Sequence, residues 1–118
     1  GIQPGDVAFI NTHGTGTTEN DKVEGRVIAE IFGEHIPFTA TKAYTGHALG
    51  AAGGLEVVLS AQFLIDQKIS GVPYGEDFDP DCLIRPHQGV KEISGNYACS
   101  SSLAFGGVNS VIVLGRTP

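Results

Sequence analysis

Asn11-Thr12-His13-Gly14-Thr15-Gly16-Thr17, with Asn20-Asp21 and Glu24 just beyond it, is the stretch that decides how this chain is read. It follows a short apolar run, Val7-Ala8-Phe9-Ile10, that reads as a buried strand. Beyond it the spacing turns helical: Val23, Val27, Ile28, Ile31 and Phe32 are expected on one face, with Glu24, Arg26 and Glu30 mostly outside. Asn20 or Asp21 suits the start of that helix, and Gly33 suits its stop. A strand, a glycine turn and an amphipathic helix in this order open an α/β unit.

Outward from there, Pro37-Phe38-Thr39-Ala40-Thr41 predicts a second strand. A second helix is expected to begin at Gly50 to Ala52 and run through Ile65. Its apolar positions go most of the way round, and Ala51 to Gly54 make a slim first turn. That combination predicts a helix packed inside a larger body, with another backbone close against its start. Pro73 to Pro86 reads as loop, with Gly75, Asp77 and Asp79-Pro80-Asp81. Tyr97 to Ser101 and Ser110 to Leu114 read as a closing pair of strands around Gly106-Gly107. The expected order is βαβα, a loop, then ββ, in one domain over residues 1–118.

Composition narrows the function. The chain is 41% hydrophobic and 17% charged, which is the profile of a globular domain with a core. A net charge of −6 argues against nucleic acid or an anionic membrane as partner. No apolar run approaches the roughly 18 residues of a membrane span, and the N-terminus carries no signal-like pattern. Cys82 and Cys99 lack metal-site spacing and read as reduced thiols, so a cytoplasmic location is expected, without a metal.

Alone, a histidine such as His13 reads first as a loop-entry residue satisfied by backbone. Its company adds a second reading. Thr15 and Thr17 alternate with glycines, placing hydroxyls along a narrow slot that suits an amide-bearing ligand. His47 stands just before the slim helix start, where it either caps the helix or, kept neutral by the helix dipole, donates to a developing oxyanion. Lys42 and Glu56 are the charges expected to be buried, paired with one another or in one network with His47; the alternative is two exposed charges that never meet. Phe105-Gly106-Gly107 is adequately read as a hairpin turn; functionally it could present the Phe105 N–H to an oxyanion and its ring to an acyl pocket. Cys82 sits in an acidic loop and Cys99 in a strand, so neither is expected to act as a nucleophile.

Three motifs occur in order: the histidine-glycine-threonine turn with its Asn-Asp, the run from Thr41-Lys42 through Thr45-Gly46-His47 to Glu56, and Phe105-Gly106-Gly107-Val108-Asn109. Together they resemble the elongating β-ketoacyl-acyl-carrier-protein synthases, the condensing enzymes of fatty acid and polyketide synthesis. The resemblance implies the thiolase-like fold, of which this chain would be the C-terminal half, a mixed five-stranded sheet with packed helices. It implies that His13 and His47 are the catalytic histidines, supported by Lys42 and Glu56. Thr15 and Thr17 would hold the phosphopantetheine arm of acyl carrier protein beside Gly106 and Gly107, with Phe105 as the gate. No cofactor beyond that carrier-borne arm is implied.

The cysteine that takes the acyl group would come from an N-terminal ketosynthase half, so this chain is expected to be inactive alone and to self-associate or dimerise. Its acidity is awkward for docking acyl carrier protein, so a basic patch is expected from that half. Ala104 and Leu103 depart from the usual glycine and aromatic, and Tyr44 is large for its place. These bear on chain length more than on reaction type. A non-catalytic, chain-length-factor-like partner or interaction domain is the contrasting reading, which two retained histidines disfavour. A coenzyme A thiolase would need a cysteine in the last glycine loop, and Cys99 stands too early.

Overall fold

A computed structural model of the chain describes residues 1–73 and 78–117. Strand β1 (Val7–Asn11) is the centre of the fold, and all five of its residues are buried. It runs parallel to β2 (Phe38–Thr39) on one side and parallel to β5 (Tyr97–Ala104) on the other. β6 (Val108–Gly115) pairs antiparallel with β5, giving a mixed sheet of order β2-β1-β5-β6.

Helix α1 (Thr18–Phe32) and helix α3 (Ala52–Asp66) cover opposite faces of this sheet. On the α1 side Val7, Ile10, Phe38 and Cys99 pack with Ile28 and Ile84. On the α3 side Ala8, Phe9 and Ala98 pack with Leu64 and Ile69. A register shift between Val7 and Phe9 lets Ala8 and Phe9 join the same cluster, although neighbouring strand residues ordinarily point to opposite faces.

The mixed α/β architecture is as expected, but the main sheet has four strands among the described residues where five were implied. β3 (Lys68–Ser70) comes close to β2 yet gives its hydrogen bonds to β4 (Val90–Glu92), in a separate antiparallel ladder. Neither strand was legible, because three residues with a lysine or glutamate among them carry no usable alternation. A one-turn helix α2 (Lys42–Thr45) between β2 and α3 was also missed. β5 runs three residues past its predicted segment, and β6 starts two residues earlier and ends one later, around the expected turn. Of the predicted loop, Gly75 and Asp77 lie outside the described residues; positions 78–86 form no helix or strand.

Two helix expectations need correction. α1 begins at Thr18 with Thr17 as its N-cap, earlier than Asn20 or Asp21. Its inward face is Glu24, Gly25 and Ile28, while Val23, Val27 and Ile31 are exposed. Gly25 permits this, because a side-chain carbon there would already touch Ile84, so the helix can lie close.

α3 starts where expected, preceded by a 3-10 turn at Leu49–Ala51. It buries only Ala52, Glu56, Ser60 and Leu64, one stripe at four-residue spacing. Leu49 is 77% exposed and Val58 68%. Gly53 lies near Ser102 of β5, but nothing approaches Gly50 or Gly54. The continuous helical stretch Leu49–Asp66 is in fact long and apolar enough to match a membrane span by length and composition. Glu56, buried against the sheet side, marks it as a packing helix with one uncovered face.

Candidate active site

The site is built where β1 ends. Asn11 and Thr12 are still buried, and the chain then turns outward at His13. The side chain of Thr12 donates to the Thr39 carbonyl at 3.1 Å, and its amide donates to the same oxygen at 2.8 Å. This locks the turn to β2. Gly14 has a φ of +43°, and a Cβ there would stand 2.6 Å from the Cβ of Ala40, so only glycine fits the crossing.

Glu24 holds the turn from the other side. One carboxylate oxygen accepts the His13 amide at 2.8 Å and the Ser101 hydroxyl at 2.7 Å. The other accepts the Gly14 amide at 3.0 Å and the Asn20 side chain at 3.2 Å. Four donors converge on one buried carboxylate. Sequence reasoning set Glu24 outside, and a usable signal was present: it is four residues before Ile28 and so shares the face that Ile28 buries.

Below the turn, Asn11 bridges three elements. Its amide donates to the Ser60 hydroxyl at 3.1 Å and the Glu56 carbonyl at 3.3 Å, and its carbonyl accepts the Thr41 amide at 3.3 Å. β1, α3 and the start of α2 are thereby pinned together by one buried side chain. A partly satisfied buried amide would be costly, so such a network fixes geometry more than it adds stability.

Lys42 and Glu56 form the buried ion pair expected of them, with 5% and 2% of their side chains exposed. The Lys42 Nζ also lies 3.4 Å from Nδ1 of His13. The lysine network therefore reaches His13, where the sequence reading joined it to His47. An ammonium has only protons to give, so Nδ1 of His13 accepts, and the ring proton sits on Nε2. Burial lowers the His13 pKa from the usual histidine range, helped by the charge of Lys42 and opposed by Glu24 and Glu56.

His47 follows α2 and accepts the Leu49 amide on its Nδ1 at 3.2 Å. It satisfies the first amide of the 3-10 turn from the residue before the N-cap, Ala48, and that same bond leaves Nε2 as the donor. The two rings meet edge to face, with centroids 5.7 Å apart and planes at 86°. Two imidazoles from separate elements thus stand together, each with Nδ1 occupied. Beside them opens a cavity of ≈ 570 Å³, whose lining includes Thr15, Lys42, His47, Val72, Pro73 and Cys82.

Thr15 and Thr17 join their hydroxyls at 2.9 Å on the exposed lip of the turn. Phe105 is not drawn into this cluster: its ring is 104% exposed, on a turn where Gly106 and Gly107 have φ of +82° and +79°. Cys99 is buried in β5 and burial raises its pKa; Cys82 is raised by burial and by Asp79, Asp21 and Asp81. Both are therefore poor thiolates. Among the described residues no group of three or more histidine, cysteine or acidic side chains could hold a metal ion.

Residues 1–73 match the family described as Beta-ketoacyl synthase, C-terminal domain. The chain belongs to the β-ketoacyl synthase family. It is 42% identical over 118 residues to 3-oxoacyl-[acyl-carrier-protein] synthase 2 of Staphylococcus aureus, an alignment covering 96% of this chain and 29% of that protein. A β-ketoacyl synthase from Burkholderia phymatum superposes with a TM-score of 0.91 at 30% identity, covering 99% of this chain and 29% of the other. A ketosynthase from Xenorhabdus doucetiae, in complex with its chain length factor, superposes at 0.87 with 36% identity, covering 99% and 30%. The fold is thus that of the thiolase-like ketosynthases, and this chain spans about three tenths of the length of these relatives.

Proposed function

We propose that this chain supplies the two histidines of a 3-oxoacyl-acyl-carrier-protein synthase, with the nucleophilic cysteine coming from an N-terminal half. The observation that carries the reading is the pair His13 and His47, 5.7 Å apart, each accepting on Nδ1. Two Nε2–H groups on adjoining rings suit a thioester oxygen that gains negative charge.

In this reading the cysteine first takes the acyl group as a thioester. Malonyl acyl carrier protein then enters, its phosphopantetheine arm held by Thr15 and Thr17, with Gly106 and Gly107 allowing Phe105 to move as a gate. His13 and His47 stabilise the malonyl thioester oxygen as an enolate while carbon dioxide leaves. The resulting carbanion attacks the acyl carbonyl, the cysteine thiolate departs, and the β-ketoacyl product is two carbons longer. Lys42 and Glu56 act through His13, holding its tautomer. Activation comes from decarboxylation and oriented donors, so no further cofactor takes part.

The uncovered side of α3, with open Gly50 and Gly54, supports an N-terminal half as the natural cover. Without it the chain is expected to be inactive and to self-associate. The experiment mixes this chain with a matching cysteine-bearing half and follows β-ketoacyl formation from acyl and malonyl carrier proteins. Activity that needs both parts and is lost in His13→Ala and His47→Ala bears the proposal out. Condensation by this chain alone, or by the mixture without either histidine, overturns it.

A further inference from the structure

We propose that Tyr44 is a positioning residue for His47, latching the segment that carries His47 to the segment that runs from Gly71 into Val72 and Pro73, both of which line the cavity. The inference rests on the role given to His47 above. The Tyr44 hydroxyl donates to the Gly71 carbonyl at 2.6 Å, across 27 positions of sequence. Its ring is exposed, so burial does little to hold the side chain in place. The hydroxyl bond is what fixes it.

The two ends of this latch differ in firmness. Gly71 leaves the β3–β4 ladder with its amide given to the Gly89 carbonyl, and the next amide, that of Val72, donates to His87 at 2.9 Å. A Cβ at Gly71 would run into the backbone of His87 and Gly89, so the strands cross there in contact. α2, by contrast, is a single turn, held by bonds such as Tyr44 N–H to Thr41 at 2.9 Å and Gly46 N–H to Lys42 at 2.9 Å. One helical turn has almost no stability of its own.

His47 comes directly after that turn, and Lys42, at its start, is the last residue buried before it. Between Lys42 and His47 the Tyr44 hydroxyl brings in the firmness of the ladder. Ala43, Gly46 and His47 line the cavity, and so do Val72 and Pro73, which follow Gly71. One bond therefore ties the segment that aims His47 to the firmer segment after β3.

The test compares wild type with Tyr44→Phe, which removes only the hydroxyl, in the protein expressed from its complete reading frame. Amide exchange at Gly46 should accelerate roughly two- to tenfold, as for loss of one net hydrogen bond, while the Val72 amide, bonded to His87 beyond the ladder, stays unchanged. In the condensation assay kcat should fall by about the same factor with KM unaltered, the mark of an interaction made in the transition state. An unchanged Gly46 amide, an equal acceleration at both amides, or an unchanged kcat would each overturn the latch. If wild type itself does not condense, the reading of the reaction fails instead, and the exchange comparison still decides the latch.

Discussion

The end of β1 and the exposed apolar sides of α3 and β6 are opposite in kind. Around His13 the side chains are polar, and they are matched: Glu24 meets four donors, Asn11 bridges Thr41 and Ser60, and Lys42 meets Glu56. Along β6, Val108, Val111, Ile112 and Val113 are apolar and exposed, as is Val58 on α3. A chain folding for itself alone would not spend its apolar residues on water. The polar groups at the site are mostly paired within this chain, with Oε2 of Glu56 a buried exception, whereas the apolar side chains of β6 and Val58 stay exposed.

The largest expected effect lies at the buried pair. Lys42→Met or Glu56→Gln leaves the partner charge without its counter-ion in the interior, which costs about 3–5 kcal/mol. The double variant should cost much less than the sum, because it removes both charges at once. Urea unfolding of the four proteins measures this, and simple additivity would show that the pair does not act as a unit.

The exposed apolar sides should respond in the opposite way. Val111→Lys and Val58→Lys are expected to change unfolding free energy by about 0.5 kcal/mol or less, since both sites are already in water. They should nevertheless abolish self-association, and binding of an N-terminal half, in sedimentation or light scattering. A large loss of stability with association intact would mean that these sides are satisfied within the chain.

A smaller effect follows pH. The pKa of His13 in the folded state lies below the ordinary value of 6.5, chiefly through burial. The folded chain therefore binds fewer protons there than the unfolded chain. The stability this group contributes is present above pH 6.5 and is lost as pH falls through the lowered value. Lys42→Met removes one of the lowering charges, so the His13 titration, followed by its ring proton shift, should move upward.

Much of this contrast was legible in the sequence. Val7 to Ile10 and the two closing runs announced the strands, and the joint spacing of His13, Lys42, His47 and Glu56 announced the family. The chemistry at Glu24 was harder to read. The apolar residues Val23, Val27 and Ile31 suggested one buried face, yet the helix turns the neighbouring face inward, where Glu24 finds unpaired amides. Periodicity weighs apolar residues and gives no credit to a carboxylate with four partners waiting. α3 misled for a different reason: its all-round apolarity described a buried helix, yet only the stripe Ala52, Glu56, Ser60 and Leu64 is buried. Tyr44 and Gly71 were beyond reach, because a bond across 27 positions depends on where the β3–β4 ladder crosses.

The central claim is that both imidazoles have Nδ1 occupied as an acceptor and present Nε2–H toward one another's surroundings. Nitrogen-15 NMR of histidine-labelled protein at pH 7.5 reads this directly through the two-bond couplings of each ring. Both His13 and His47 are expected as Nε2–H tautomers, with a cross-ring nuclear Overhauser effect between them. A proton on Nδ1 of either ring, or two rings with no mutual contact, would contradict the account.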